Sequence, residues 1–593
     1  MKKILSYLKP YSGRIFVGFL IKVAGTFMDL GLPWVLAYII DDVIPIGKVS
    51  LILMWGVVML LLSIGARMGN IIANRMASRV SGYTVEKLRH DLFWKIEQLS
   101  GAQVDYYSIP SLVSRMTTDT YNIHQMIGMM QRLGVRAPII LVGGIIITAT
   151  LEPVLTLVLL AILPLLSVVV YMVSKKGIPL YSHVQVAIDR MIRTVRENIS
   201  GIRVVKALSK TEYEKMRFAK VNDEVVGKEL KAGVTMAIIN PTMNLLLNVG
   251  LTLVVVVGAY RVNSGASEVG KIVAFLSYFT MILNAMMMVT RIFVILSKAS
   301  ASAARITEVL ETEEDLKISE ENTYTTNPSD GKFHIEFNHV SFAYHKKVTN
   351  EIDQEENELA CVTNINFHIR KGETLGIIGS TGTGKTTLIN LLMRYYDVDE
   401  GAIRINGCDI RTIQIQKLRK KFGVVFQNDT IFADTVKENI DLRRGLSEVQ
   451  IRQAATDAQA KDFIEQLGIQ GETDNIGYQY DYLVAAKGSN LSGGQKQRLL
   501  ISRALAGNPE ILVLDDSSSA LDYKTDSNLR MAIGQHFSDT TIIMIAQRIS
   551  SVMHMDHILV LEDGAMFGYG THEELLETCT IYKEIYQSQM GND

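Results

Sequence analysis

Six apolar stretches, all before Ala303, constrain this chain more than anything else in it: Ile15–Ile40, Leu51–Ala73, Pro138–Leu151, Val154–Val173, Ala237–Tyr260 and Ile272–Val289. A backbone in hydrocarbon must satisfy its own hydrogen bonds, and about 20 predominantly apolar residues do so as one spanning helix. The third stretch is short by itself and is expected to begin near Met126, taking Arg132 and Arg136 inward. Only Glu152-Pro153 separates it from the fourth. Hydrophobic residues are 48% and charged residues 20% of the 593, totals an ordinary soluble chain shares. Their placement therefore decides the matter: a membrane part comes first and a soluble part follows.

Positive charge sets the direction of the spans. The loop "DDVIPIGK" after the first span is acidic, and "RVNSGASEVGK" before the sixth is short and nearly balanced. Residues 78–136 and 174–231 are long and rich in Lys and Arg, so they and both ends of the membrane domain belong in the cytosol. Helical periodicity persists there, as in "YTVEKLRHDLFWKIEQL", which predicts helices running well past the bilayer. The basic start "MKKILSYLKPYSGR" leads into a full-length apolar run and reads as a retained first span. Cys361, Cys408 and Cys579 are far apart and make neither a disulfide framework nor a metal-ligand spacing. A net charge of −1 gives no global field for nucleic acid.

Polar residues interrupt the spans at Lys22, Asp29, Asn244, Asn248 and Asn284. Two readings are open: pathway residues facing a cavity or partner, or a snorkelling lysine with asparagines bonded between helices. Met281, Met286, Met287 and Met288 are likewise read either as an adaptable binding surface or as packing.

The pattern changes across "ETEEDLKISEENTYTTNPSDGK", a polar, turn-rich linker. The resulting division is a six-span helical membrane domain with long cytosolic extensions over 1–310, a linker over 311–332, and an α/β P-loop domain over 333–593. In the last, "TLGIIG" reads as a strand, "GSTGTGKTT" as a Gly-rich loop and "TLINLLMRYY" as an amphipathic helix. Gly379, Gly384, Lys385 and Thr386 satisfy the phosphate-loop spacing. Glycines let backbone N–H groups close on phosphate oxygens, and the helix N-terminus adds its positive dipole end. The candidate nucleotide contacts are Gly379, Ser380, Thr381, Gly382, Thr383, Gly384, Lys385, Thr386 and Thr387. Lys385 is expected to meet the β- and γ-phosphates and Thr386 to ligate Mg²⁺. Downstream, "ILVLDD" delivers Asp515 from a buried strand as the second Mg²⁺ residue.

Between these lies "LSGGQKQRLLISRALAGNPEILVLDD". Here the sequence closely resembles the ATP-binding cassette (ABC) transporter family, with Leu491–Gln495 as its signature. The resemblance covers the whole chain, since six spans and one cassette are the layout of an exporter half-transporter. It implies roles position by position. Tyr344 resembles the residue stacking on adenine, Gln427 the Q-loop glutamine touching Mg²⁺, and Ser492, Gly493, Gly494 and Gln495 the contact to ATP held by the other cassette. Ser519–Asp522 resemble the D-loop, with Asp522 at its end. Arg115–Asp119 and Ser200–Leu208 resemble coupling-helix regions. A working cassette pair needs two chains.

Four departures stand out. Asp516 occupies the place of the family's catalytic glutamate, and Gln547 that of its switch histidine. Ala485-Ala486 replace the usual Gly-Glu pair, and the acidic insertion His345–Ala360 is expected to be an exposed, mobile loop. Shortening a carboxylate by one methylene withdraws it by more than about 1 Å, a misplacement able to cost a hundredfold in rate. Glutamine cannot carry charge or exchange a proton as histidine does. The expectation is one half of a heterodimeric exporter of hydrophobic or amphipathic substrates in a bacterial cell membrane. Its own site would bind Mg-ATP and hydrolyse poorly, while its signature completes the partner's site. The competing expectations are a homodimeric slow ATPase exporter and a nucleotide-gated regulatory or channel subunit. A dedicated peptide-processing exporter is disfavoured, as no peptidase-like segment precedes the first span.

Overall fold

The computed structural model describes residues 1–316, 332–344, 360–427, 429–468, 478–517 and 521–591. The acidic insertion and most of the linker, on which two of the expectations rest, lie outside the described residues. The chain forms two compact units: Met1–Glu97 with Pro110–Thr312, and Gln98–Ile109 with Glu313–Asp593.

The first unit is helical. Its main helices are Ser12–Tyr38, Val49–Glu97, Thr120–Leu151, Pro153–Ser200, Thr211–Ala237, Ile239–Asn263 and Val269–Leu310. Among the described residues five helical segments carry an apolar window long enough to cross a membrane, and the fourth span appears as the apolar stretch Pro153–Val169. The third is one helix that runs through Pro138 from Thr120, so its apolar core continues a longer cytosolic helix. Val49–Glu97 has 49 residues and is roughly 74 Å long at 1.5 Å per residue. With about 30 Å of hydrocarbon to cross, more than half of it lies outside the bilayer core, as the periodicity predicted.

Side chains satisfy helix ends across the bundle. Asp41, in the acidic loop after the first span, accepts from the Gly270 and Lys271 backbone N–H groups (2.6 and 2.9 Å) at the start of Val269–Leu310. Glu152, buried at the turn between the third and fourth spans, accepts from Arg261 Nε (3.1 Å). The Tyr278 hydroxyl donates to the Leu30 carbonyl inside the bundle.

Arg115–Asp119 does not form a coupling helix. It is a single wide turn leading into Thr120–Leu151, and its ends face inward. Asp119 is fully buried, accepting from Ser302 Oγ (2.8 Å) and from Arg305 Nε (2.8 Å). Arg115 donates to the Arg305 carbonyl (2.7 Å) and pairs with Glu308 (3.0 Å). The segment that docks on the cassette is upstream, Gly101–Tyr107, started by a Ser100–Gln103 capping box. Gly101 N–H donates to the Tyr395 carbonyl (3.1 Å), Tyr396 donates to Asp105 (2.6 Å), and Ser100 donates to Asp315 (2.5 Å). A Cβ on Gly101 would stand 2.8 Å from Tyr396 Cζ, so glycine is what permits the approach. In the second loop, within the Ser200–Leu208 region, Ile202–Ala207 is a short helix between two long ones.

The second unit is built on a ten-stranded sheet. Its parallel part runs Phe422–Val425, Ile511–Asp515, Thr541–Ile545, Thr374–Gly379 and His557–Glu562. These strands are apolar almost throughout because helices cover both faces. Ile335–Ala343 pairs antiparallel with Ala360–Ile369 and with Glu400–Ile405 on the far side. A second apolar cluster joins Val436–Asp441, Glu448–Asp457, Lys461–Gln466 and Gly493–Leu505. Arg503 is buried there, donating to Asn439 O, Asn439 Oδ1 and Thr430 O at 2.8–3.0 Å.

Arg305→Ala leaves the Asp119 carboxylate buried with Ser302 alone, and is expected to destabilise the folded chain by about 3 kcal/mol, read as a lowered thermal midpoint. Gly101→Val is expected to raise amide exchange across Gly101–Tyr107 at least about tenfold while leaving exchange in Lys385–Leu392 unchanged.

Candidate functional site

The phosphate loop starts where Thr374–Gly379 ends, and contact as well as conformation dictates its glycines. A Cβ on Gly379 would lie 2.2 Å from the Leu561 carbonyl oxygen, and one on Gly384 2.6 Å from Val362 Cγ1. Gly384 also has φ +91°, a region glycine enters without steric penalty. Lys385 opens the following helix and turns its Nζ onto the Gly379 and Ser380 carbonyls (2.9 and 2.5 Å). The Thr383 hydroxyl donates to Ser380 O (3.0 Å), and Ser380 Oγ donates to Glu562 (3.2 Å).

Thr386 Oγ1 donates to Asp515 Oδ2 at 3.0 Å above the C-terminal ends of the central strands. Burial pushes the Asp515 carboxyl above the usual range, the Thr386 bond opposes this, and the Asp516 charge adds to it. Burial pulls the Lys385 ammonium down from its ordinary value, against Asp515, Glu562 and Asp516. A buried carboxylate bonded to a hydroxyl, with the Gln427 amide on the same cleft, is the hard oxygen donor set that suits Mg²⁺. The residues present fit that ion.

One cleft of about 230 Å³ gathers Thr381, Gly382, Gly384, Lys385, Thr386, Thr387, Gln427, Asp515, Asp516 and Gln547. Asp516 leaves its strand with φ +49° and donates its backbone N–H to Ile545 O (3.0 Å). Short Asp tolerates this left-handed backbone better than most residues. Gln427 Nε2 lies 3.5 Å from Asp516 Oδ2. Gln547 follows Ala546, whose N–H donates to Ile377 O (3.2 Å). Its carbonyl accepts from Gln589 Nε2 (2.8 Å).

Tyr344 stands at the margin of the cleft and is not among its lining residues. Its hydroxyl donates to Thr387 Oγ1 (3.3 Å), and its ring meets Tyr396 edge-on at 5.1 Å. Ser492, Gly493, Gly494 and Gln495 also lie outside the lining. Ser492 and Gln495 close the start of Gly493–Leu505 by a reciprocal capping box (3.3 and 2.8 Å). Asp522 caps Tyr523–His536, accepting from Thr525 N and Oγ1 (2.9 and 2.7 Å). Ser519 is outside the described residues. Sequence reasoning missed Cys361, which lines the cleft and meets Thr387 Oγ1 at 3.1 Å, and Glu562 on the phosphate loop. Cys361 carries no pattern, whereas Glu562 ends "HILVLE", the same apolar run into acid as "ILVLD".

The family descriptions that match are ABC transporter transmembrane region, over residues 15–286, and ABC transporter, over residues 362–519. The chain is 36% identical over 594 residues to the uncharacterized ABC transporter ATP-binding protein YfiB of Bacillus subtilis, covering 100% of this chain and 99% of that one. It is 34% identical over 587 residues to Rv1273c of Mycobacterium tuberculosis, another uncharacterized ABC transporter ATP-binding protein (98% and 97% covered). It is 28% identical over 597 residues to the ATP-dependent lipid A-core flippase of Syntrophus aciditrophicus (100% and 95%). A solved bacterial Atm1-family ABC exporter with ATP bound shares the fold, with TM-score 0.79 over 98% of this chain and 99% of that chain at 22% identity. With a membrane region and a cassette matched in one chain, and the nucleotide cleft assembled at the C-terminal ends of the parallel strands, this protein belongs to the ABC transporter family as an exporter-type half-transporter, a multi-pass membrane protein whose cytosolic cassette is an ATP-hydrolysing motor.

Proposed function

We propose that this chain is one half of a heterodimeric exporter of hydrophobic or amphipathic substrates, in which its own nucleotide site binds Mg-ATP and turns it over slowly. The observation that carries the reading is the pairing of Asp516 and Gln547 on one cleft with Lys385, Thr386 and Asp515. Lys385, Thr386 and Asp515 line that cleft as nucleotide-binding residues would, while Asp516 and Gln547 are weaker groups for activating water and sensing the γ-phosphate. Mg²⁺ would be held by Thr386 and Asp515 with Gln427 beside them, and its chemistry there is to neutralise phosphate charge. Asp516 is one methylene short for a base, and the Gln427 amide lies 3.5 Å from its carboxylate. The exposed start of Gly493–Leu505 presents backbone N–H groups, and these would complete the partner's nucleotide site. The flippase among the relatives supports an amphipathic substrate.

The reading predicts a catalytic partner subunit with glutamate and histidine at these two places. The double variant Asp516→Glu with Gln547→His is expected to raise hydrolysis at this site about ten- to a hundredfold. The measurement is single-turnover cleavage of radiolabelled ATP by the full-length chain in the assembled pair, with the partner's site inactivated; an unchanged rate sinks the assigned roles. Fast, Asp516-dependent hydrolysis by the purified chain alone would instead establish a homodimer. Lys385→Ala is expected to abolish ATP binding, and Asp515→Asn to remove its Mg²⁺ dependence, both read by equilibrium binding of a fluorescent ATP.

A further inference from the structure

Three helices of the membrane unit turn polar residues toward one another at helical spacing: Lys22 and Asp29 on Ser12–Tyr38, Asn70 and Asn74 on Val49–Glu97, Arg132 and Arg136 on Thr120–Leu151. Lys22, Asp29 and Asn70 are 3%, 8% and 9% exposed, so Lys22 does not reach out to water as a snorkelling lysine does. Lys22 Nζ donates to Asn74 Oδ1 (3.0 Å), and its charged neighbours are Arg136, Asp29 and Arg132. Asp29 Oδ2 accepts from Arg136 Nη2 (3.0 Å) and from Asn70 Nδ2 (3.3 Å).

The charges do not cancel. Three cations share one carboxylate, and that carboxylate pairs with Arg136. Arg132 makes one hydrogen bond among the described residues, from Nε to Gly128 O (2.9 Å). Arg136 Nε and Asn70 Oδ1 are buried without a hydrogen-bond partner. Excess positive charge and unused donors inside a membrane unit are costly unless a ligand uses them. Guanidinium forks match the oxygens of phosphate and carboxylate groups. Arg132 and Arg136 stand at the entry to the third span on its cytosolic side, and the Arg136 side chain is 28% exposed.

We infer that this cluster is the head-group subsite for an exported amphiphile whose head is anionic, a phosphate or a carboxylate. The inference rests on the exporter reading, not on the slow-site reading, and names the substrate class that the exporter takes. Asp29 then has two tasks: it holds Arg136 in place and keeps the empty subsite from being more positive still.

The test is saturation binding to the full-length chain in phosphatidylcholine nanodiscs, without ATP, so that the hydrolytic competence of Asp516 does not enter. The probes are a fluorescent phosphatidic acid, its phosphatidylcholine twin, and inorganic phosphate as competitor. Selectivity of about tenfold for phosphatidic acid is expected, the order a charge-assisted hydrogen bond supplies. Arg132→Gln is expected to remove it and Arg132→Lys to restore most of it, whereas Asp29→Asn is expected to tighten binding. Opposite signs for Arg132→Gln and Asp29→Asn are what a merely structural role would not produce. Equal affinity for the two lipids, or the same direction for both variants, overturns the subsite. Competition by inorganic phosphate at matched concentration overturns the amphiphile. In proteoliposomes of the assembled transporter, Mg-ATP is expected to move phosphatidic acid faster than phosphatidylcholine. Selective binding with no ATP-driven movement of phosphatidic acid marks a resident lipid and overturns the substrate assignment. Movement of neither lipid, with binding also unselective, takes the exporter reading for this lipid class down with it.

Discussion

Parallel strand register is the constraint on which the soluble half depends. Ile545 stands opposite Asp515 on one side and Ile377 on the other, and Gly379 stands opposite Leu561. Strands that finish level open their following loops onto one volume, as ligand sites in parallel sheets do. The phosphate loop, the two aspartates and Gln547 therefore converge without being near one another in the chain. A slip of one residue in any of these strands would invert its faces and carry Asp515 away from Thr386. The same register leaves no room for a side chain at Gly379, so one set of backbone hydrogen bonds specifies both the acid and the glycine.

The membrane half obeys the same rule in another solvent. Its backbones are satisfied inside the helices, so what joins one helix to the next is side-chain polarity placed at ends and crossings. Asp41 caps a helix more than two hundred residues away in sequence, Glu152 and Arg261 join two turns, and Asp119 fastens the wide turn at Arg115–Asp119 to the last helix. Each of these acids is engaged, which is the condition for a carboxylate to persist in such surroundings.

Much of this was legible in the residues. Apolar run length gave the spans, the glycine spacing gave the phosphate loop, and an apolar run ending in acid gave Asp515. What failed did so for physical reasons. "RMTTD" resembles a coupling-helix region of the family, yet Asp119 is buried by Arg305 and Ser302, partners nearly two hundred residues on that no local pattern announces. The segment seated on the cassette begins with the Ser100–Gln103 capping box and a glycine whose necessity depends on Tyr396. Cys361 enters the cleft from a strand that sequence spacing does not connect to the phosphate loop. The polar residues of the spans showed the reverse: Lys22 and Asp29 were visible, and their common face with Arg132 and Arg136 required the packing.

The uninterrupted helix Val49–Glu97 has a mechanical consequence. A rod of roughly 74 Å pivoted near one end converts a tilt of about 5° into about 6 Å of travel at the other, and it leads directly into the segment seated on the cassette. Such leverage trades force for displacement. The short contacts at Gly101, Asp105 and Ser100 follow directly after the far end of that helix, where any slack would be lost from the displacement delivered. Tight seating there is what a lever of this length requires, and it explains why a residue without a side chain occupies its first position.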